Sequence, residues 1–173
     1  MKNFIISILP AVLLISCSRN VNPPKPLSVV PTKAQLEWHR MEMNAFVHFS
    51  INTFTNKEWG YGDESPALFN PDSLDTDQWL KVFKETGFKM VILTCKHHDG
   101  FCLWDSKVTS YDIMDATPFK RDILKELSAA CKKQGVRLCF YHSIMDWHHP
   151  DAQGTFYPNY NDGGRSNPNF GRY

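Results

Sequence analysis

Apolar positions along this chain fall into two alternating patterns. Three short apolar runs, Asn44 to Phe49, Lys89 to Thr94 and Val136 to His142, read as β-strands buried on both faces. Between the second and third, Ile123, Leu124, Leu127, Ala130 and Cys131 recur at helical spacing, so Lys120 to Gln134 is predicted to be a helix that Gly135 ends. Asp75 to Thr86 repeats the design before the second strand, with Trp79, Val82 and Phe83 on one face and Gly87 following. Helix, glycine, strand thus occurs twice. Strands that alternate with helices imply parallel strands joined by crossover connections.

Parallel α/β sheets close into a (β/α)₈ barrel or stay open and doubly wound. No glycine-rich phosphate loop follows any of the three runs, which argues against the nucleotide-binding form of the open sheet. Polar side chains instead follow each strand: His48, then Lys96-His97-His98-Asp99, then His142. Barrel enzymes assemble their sites at that rim from several strands. The fold class is therefore α/β, the N-terminal portion, about three strands, of a (β/α)₈ TIM-like barrel. A closed barrel takes about 250 residues, and this chain has 173, so the barrel is expected to be incomplete within it.

The first residues follow neither pattern. Lys2 precedes an apolar run from Phe4 to Ile15 that is too short to span a bilayer and ends in Leu14-Ile15-Ser16-Cys17. The layout resembles a bacterial lipoprotein signal, which implies cleavage after residue 16 and a lipid on Cys17. Residues 17–31 hold Pro23, Pro24, Pro26 and Pro31 and read as an extended tether, with the barrel portion occupying 32–173. The expected location is the bacterial cell envelope, anchored to the membrane through Cys17. The periplasmic side is preferred over the surface, because Ser18, Arg19 and Asn20 supply no acidic export cluster.

Composition narrows the function. A formal net charge of +1 leaves no cationic excess for phosphates, so nucleic acid is not an expected partner. Cys95, Cys102, Cys131 and Cys139 allow disulfides in an oxidising compartment without assigning any. Cys131 and Cys139, on a helix's apolar face and in a strand, read as small buried hydrophobes.

His97-His98-Asp99 and His148-His149-Pro150-Asp151 invite a metal reading. Adjacent residues on an extended chain point in opposite directions, however, and neither His-x-His nor His-x-x-x-His spacing occurs in the rim segments. No metal or cofactor is expected. Aromatic residues, at 13%, are the unusual term. Phe54, Glu58, Trp59 and Tyr61 follow the first strand, Phe101, Trp104 and Asp105 the second, Asp146, Trp147, His148 and His149 the third. About half of these aromatics are expected simply to pack the loops. The rest, mixed with His, Glu and Asp, suit a sugar, whose hydroxyls and apolar ring face need both kinds of contact.

Six segments carry a resemblance in order and spacing: Ala-Phe-Val-His-Phe-Ser at 45–50, Glu58-Trp59, Leu93 through Lys96-His97-His98-Asp99-Gly100-Phe101 to Ser106, Phe-Lys-Arg-Asp at 119–122, Phe-Tyr-His-Ser at 140–143, and Asp-Trp-His-His-Pro at 146–150. Together they resemble the start of the family 29 glycoside hydrolases, the α-L-fucosidases. The resemblance implies retaining hydrolysis of terminal α-L-fucose, with fucosylated glycans as partners. His48, Glu58, Trp59, His97 and His98 would line the fucose subsite, joined by Tyr141 or His142, between which the sequence does not choose. Trp59 or a neighbouring ring would pack on the 6-methyl group. The resemblance also places the nucleophilic aspartate and the acid/base beyond Tyr173, so no catalytic carboxylate is expected here and the chain alone is expected to be inactive. Asp99 reads as a turn residue before Gly100, and Asp146 as ordering His148 or a loop amide. A metal-dependent barrel hydrolase and a non-catalytic sugar-binding relative are the alternatives.

Overall fold

A computed structural model describes residues 22–152 and 169–172. The predicted signal segment and Cys17 lie outside them. The chain divides into two compact units, residues 1–36 and 37–173. In the first, residues 22–31 are exposed and carry no helix or strand. Thr32 and Gln35 then form a reciprocal cap: Gln35 N donates to Thr32 Oγ1 (3.3 Å) and Thr32 N to Gln35 Oε1 (2.8 Å). That cap opens helix α1, Lys33–Met41. No helix among the described residues is long and apolar enough to cross a membrane.

The second unit holds strand β1 (Asn44–Val47), a one-turn helix α2 (Asn52–Thr55), helix α3 (Thr76–Glu85), strand β2 (Met90–Lys96), helix α4 (Ile123–Gln134) and strand β3 (Arg137–His142). The strands form one parallel sheet in the order β1-β2-β3. Both predicted helices exist, trimmed by their caps. Asp75 Oδ1 accepts from Gln78 N (3.0 Å) and Asp122 Oδ1 from Lys125 N (2.9 Å), so each aspartate precedes its helix. Lys120, expected inside α4, has φ +52 and cannot belong to it.

Register decides which side chains face which way. Ala45 pairs with Val91, which pairs in turn with Leu138, and Val47 pairs with Leu93. These residues pack with Leu80 of α3 and with Ile123, Leu127, Ala130 and Cys131 of α4. The opposite face carries Phe46, Ile92 and Thr94, in register with Cys139 and Tyr141. Only the central strand β2 is buried along most of its length; Phe46 and Phe140 are each half exposed, so burial on both faces does not hold for β1 and β3. An outer strand has a neighbour on one edge only, and apolar composition cannot reveal that. On α3, Val82 is 44% exposed, and the buried row is Thr76 and Leu80 with Trp79 and Phe83 partly buried.

Much of the aromatic content is core. Phe69, fully buried, stands 5.1 to 5.7 Å from Phe49, Phe54, Phe101 and Phe119. Phe101 in turn meets Tyr111 edge-on at 5.3 Å. Cys95, Cys102, Cys131 and Cys139 are free thiols, and burial pushes the Cys102 thiol up to about 12.

Candidate functional site

A cleft of about 580 Å³ opens at the C-terminal ends of β1 and β2. Its wall includes His48, just past β1, Thr94 and His97 at the end of β2, and Asn52, Lys57, Glu58 and Trp59 from the segment after β1. The predicted rings form a connected series that includes His48, His97 and Trp59 of this wall and continues through His98 and Tyr141 beside it. His48 lies 6.0 Å from His97, His97 lies 4.3 Å from His98 and 5.9 Å from Tyr141, and His98 lies 6.5 Å from Trp59. Tyr141 also meets Phe46 at 5.8 Å, whereas His142 stands against Trp104 at 5.8 Å, away from this group. Glu58 is an exposed member of the wall.

His97 and His98 do not diverge as residues on an extended chain would. β2 ends at Lys96, and Gly100 N donates to the His97 carbonyl (3.1 Å), so a turn brings both imidazoles to one side. Among the described residues no three His, Cys, Asp or Glu side chains gather as a metal-ligand set.

Three polar atoms at the cleft lack a partner among the described residues: Asn52 Oδ1, Thr94 Oγ1 and His97 Nδ1. All three atoms are buried, and their residues line the wall. A buried polar group without a hydrogen bond is costly, so each is a place where a ligand hydroxyl or a water fits. Thr94 was not among the sequence candidates. Its signal was alternation: two residues past Ile92, it shares the face that carries Tyr141. Asn52 and Lys57 gave no such signal, because a one-turn helix and the loop after it are too short to show a period.

Behind the wall, three loops interlock. Glu64, nearly buried, accepts from Tyr61 N (2.7 Å), Gly62 N (2.9 Å) and Lys57 Nζ (3.1 Å). Burial alone would raise its carboxyl, but those hydrogen bonds outweigh it and hold the group below the usual carboxylate range. This bracing shapes the turn that carries Glu58 and Trp59. Asp99, fully buried, accepts from Phe101 N (2.8 Å) and Asn52 Nδ2 (2.6 Å), which is a turn role with a tie to α2. Asp146 Oδ1 accepts from His148 N and His149 N (3.0 Å each), while Oδ2 pairs with Lys96 Nζ at 3.1 Å. His148, a candidate ligand by composition, is a strut: its ring stacks on Tyr111 at 3.8 Å and Nδ1 lies 2.7 Å from the Gly62 carbonyl.

Burial, followed by His98 and His48, pushes the His97 imidazole down to about 4. Burial drives Asp99 up to about 6, against its hydrogen bonds. The two have opposite linkage. His97 favours the fold in its neutral form, so its contribution is full above about pH 6.5 and falls as pH drops toward 4. Asp99 binds its proton more tightly in the native state, so its contribution grows as pH falls through 6. Unfolding midpoints measured from pH 7.5 to 4.5 should therefore fall less steeply in His97→Gln than in the parent, and more steeply in Asp99→Asn.

The family model for alpha-L-fucosidase matches residues 26–171. Alpha-L-fucosidase 1 of Arabidopsis thaliana is 41% identical over 148 residues, covering 84% of this chain and 29% of that protein. A glycoside hydrolase 29 family member from an unknown rumen bacterium superposes with a TM-score of 0.69 at 47% identity, covering 75% of this chain and 24% of that one. A Ruminococcus gnavus GH29 fucosidase variant, solved in complex with fucose, superposes with a TM-score of 0.66 at 39% identity, covering 78% of this chain and 28% of that one. The chain spans 24% to 29% of the length of each of these relatives.

Proposed function

Because the chain belongs to the α-L-fucosidases of glycoside hydrolase family 29, we propose that the whole protein is a retaining, exo-acting α-L-fucosidase, and that the cleft beyond β1 and β2 is part of its fucose subsite. One observation carries the assignment. Two buried polar atoms without a partner among the described residues, Thr94 Oγ1 and His97 Nδ1, sit in a wall that also offers the Trp59 ring, in a chain whose Ruminococcus gnavus relative was solved with fucose. Hydroxyl-bearing ligands with an apolar face need that combination.

In this reading His48, Glu58, His97, His98 and Tyr141 bind the sugar hydroxyls, and Trp59 packs against the 6-methyl group. The three-stranded parallel sheet is the start of a (β/α)₈ barrel. Retaining hydrolysis needs a nucleophilic carboxylate and an acid/base roughly 5 Å apart. Asp99 and Asp146 are held by backbone amides and neighbouring side chains, so neither is assigned to those roles. The pair is placed on later strands of the whole protein. Phe4 to Cys17 further supports export and lipid anchoring at Cys17 on the periplasmic side, with fucosylated glycans as substrates; mass spectrometry of the mature N-terminus checks the lipid.

The full-length protein should release nitrophenol from an aryl α-L-fucoside. His97→Ala should lower kcat/KM roughly tenfold to hundredfold, the range for leaving a buried polar group unpaired. No turnover by the full-length protein would overturn the enzymatic assignment, and L-fucose binding without turnover would make it a sugar-binding relative.

A further inference from the structure

Ser143, which follows β3, takes no part in the proposed sugar contacts, yet its hydroxyl sits between two short contacts. Ser143 Oγ donates to the Met145 carbonyl at 2.7 Å and lies 2.7 Å from His98 Nδ1. A serine hydroxyl has one proton and two acceptor positions. A hydroxyl oxygen and a carbonyl oxygen this close need that proton between them, since lone pairs would otherwise face each other. None then remains for His98, so the contact to Nδ1 is a hydrogen bond only if Nδ1 carries the proton and donates. We propose that Ser143 is a positioning residue that holds His98 as the Nδ1–H tautomer and leaves Nε2 as a hydrogen-bond acceptor for a ligand hydroxyl.

The surroundings favour this arrangement. Ser143 is 3% exposed, its N donates to the Lys96 carbonyl (3.0 Å) and its carbonyl accepts from Lys96 Nζ (3.0 Å), so the hydroxyl is held in place from both sides of its own peptide. Lys96 Nζ also reaches the Met145 carbonyl at 3.4 Å. That longer bond does not relieve the 2.7 Å oxygen pair. Burial, then the Lys96 charge, push the His98 imidazole down, which keeps one nitrogen unprotonated at neutral pH. Among the described residues no protein group bonds Nε2. The ring is set by contacts with His97 at 4.3 Å, Trp147 at 4.9 Å and Trp59 at 6.5 Å, two of which line the cleft. The hydrogen bond at one ring nitrogen thus dictates what the other can do. A site that must accept a hydrogen bond from a sugar hydroxyl gains selectivity from holding that acceptor in advance.

The use of Nε2 by a sugar rests on the proposed function; the tautomer does not. The test uses the full-length protein labelled with [¹⁵N]histidine, with long-range ¹H–¹⁵N correlation spectra at pH 7.5 and His98 assigned by its absence in His98→Gln. The expected spectrum shows Nδ1 protonated and Nε2 not, and L-fucose moves the Nε2 signal while Nδ1 keeps its proton. Ser143→Ala should shift His98 toward the Nε2–H form and raise KM about tenfold, with a smaller change in kcat. Ser143→Thr, which keeps the hydroxyl, should restore the parent pattern. An Nε2–H tautomer in the parent overturns the proposal even if Ser143→Ala does not fold, and so does a tautomer unchanged in Ser143→Ala. An Nε2 signal that ignores L-fucose in a protein that hydrolyses aryl fucosides overturns the acceptor role alone. An Nδ1–H tautomer lost in Ser143→Ala, in a protein with no fucosidase turnover, supports the tautomer assignment and removes the proposed function.

Discussion

Replacing Gly62 with alanine is expected to destabilise the protein by about 3 kcal/mol or more and to disorder the turn that carries Trp59. Gly62 adopts φ +83, which costs any residue with a Cβ, and the added carbon would lie 2.6 Å from both His148 N and Trp147 C. Those are main-chain atoms, and they cannot retreat. Trp147 N donates to the His98 carbonyl at 2.7 Å, His148 N is held by Asp146, and the His148 ring is stacked on Tyr111. The strain must therefore return to the 57–64 segment. Unfolding curves of the full-length protein measure the stability, and limited proteolysis should show new cleavage between residues 57 and 64. Gly87→Ala supplies the control. Gly87 has φ +95, but nothing lies within 4 Å of where its Cβ would sit, so only the backbone term of about 1 kcal/mol is expected. Equal losses in the two variants would show that the contact with 147–148 is not what constrains the turn.

The second large effect is expected at Lys96. Its ammonium is nearly buried, 3.1 Å from Asp146 Oδ2, and donates to the carbonyls of Ser143 and Met145. Lys96→Met removes the cation and leaves a largely buried carboxylate and two carbonyls behind it, at a cost of about 3–5 kcal/mol. Most of that cost arises from the stranded charge, not from the lost attraction. Lys96→Met combined with Asp146→Asn should accordingly recover about half of it, because asparagine keeps the acceptor for His148 N and His149 N while discarding the charge. A double variant no more stable than Lys96→Met would assign the cost to the carbonyls instead. Either single change also loosens the loop after β3, so KM should rise along with the loss of stability.

These two positions show where reading the chain stops. Lys96 and Gly62 look ordinary in the sequence, one a cation beside two histidines and the other a glycine in a polar loop. Their weight comes from partners far along the chain, about fifty residues away for Lys96 and more than eighty for Gly62. Of the residues named from family resemblance, His48, Trp59, His97, His98 and Tyr141 form a connected group because the parallel register sets the ends of β1, β2 and β3 side by side.

What the sequence determined by itself is local. Apolar spacing located three strands and two helices, because burying one face requires a fixed period. Gly87 and Gly135 marked helix ends, because unpaired helix termini need specific caps, whereas the start of α4 at Asp122 came from the structure. Short-range chemistry also identified Asp99 and Asp146 as loop-ordering carboxylates. Tertiary structure alone decided the rest. It seated Phe54 and Phe101 in a packed cluster around Phe69, turned His97 and His98 to one side, placed Tyr141 beside His97 and His142 beside Trp104, and made His148 a strut. The reason is physical: period and composition report how a segment can bury its side chains, whereas register and loop packing, set by distant segments, decide which groups meet at the cleft and which brace it from behind.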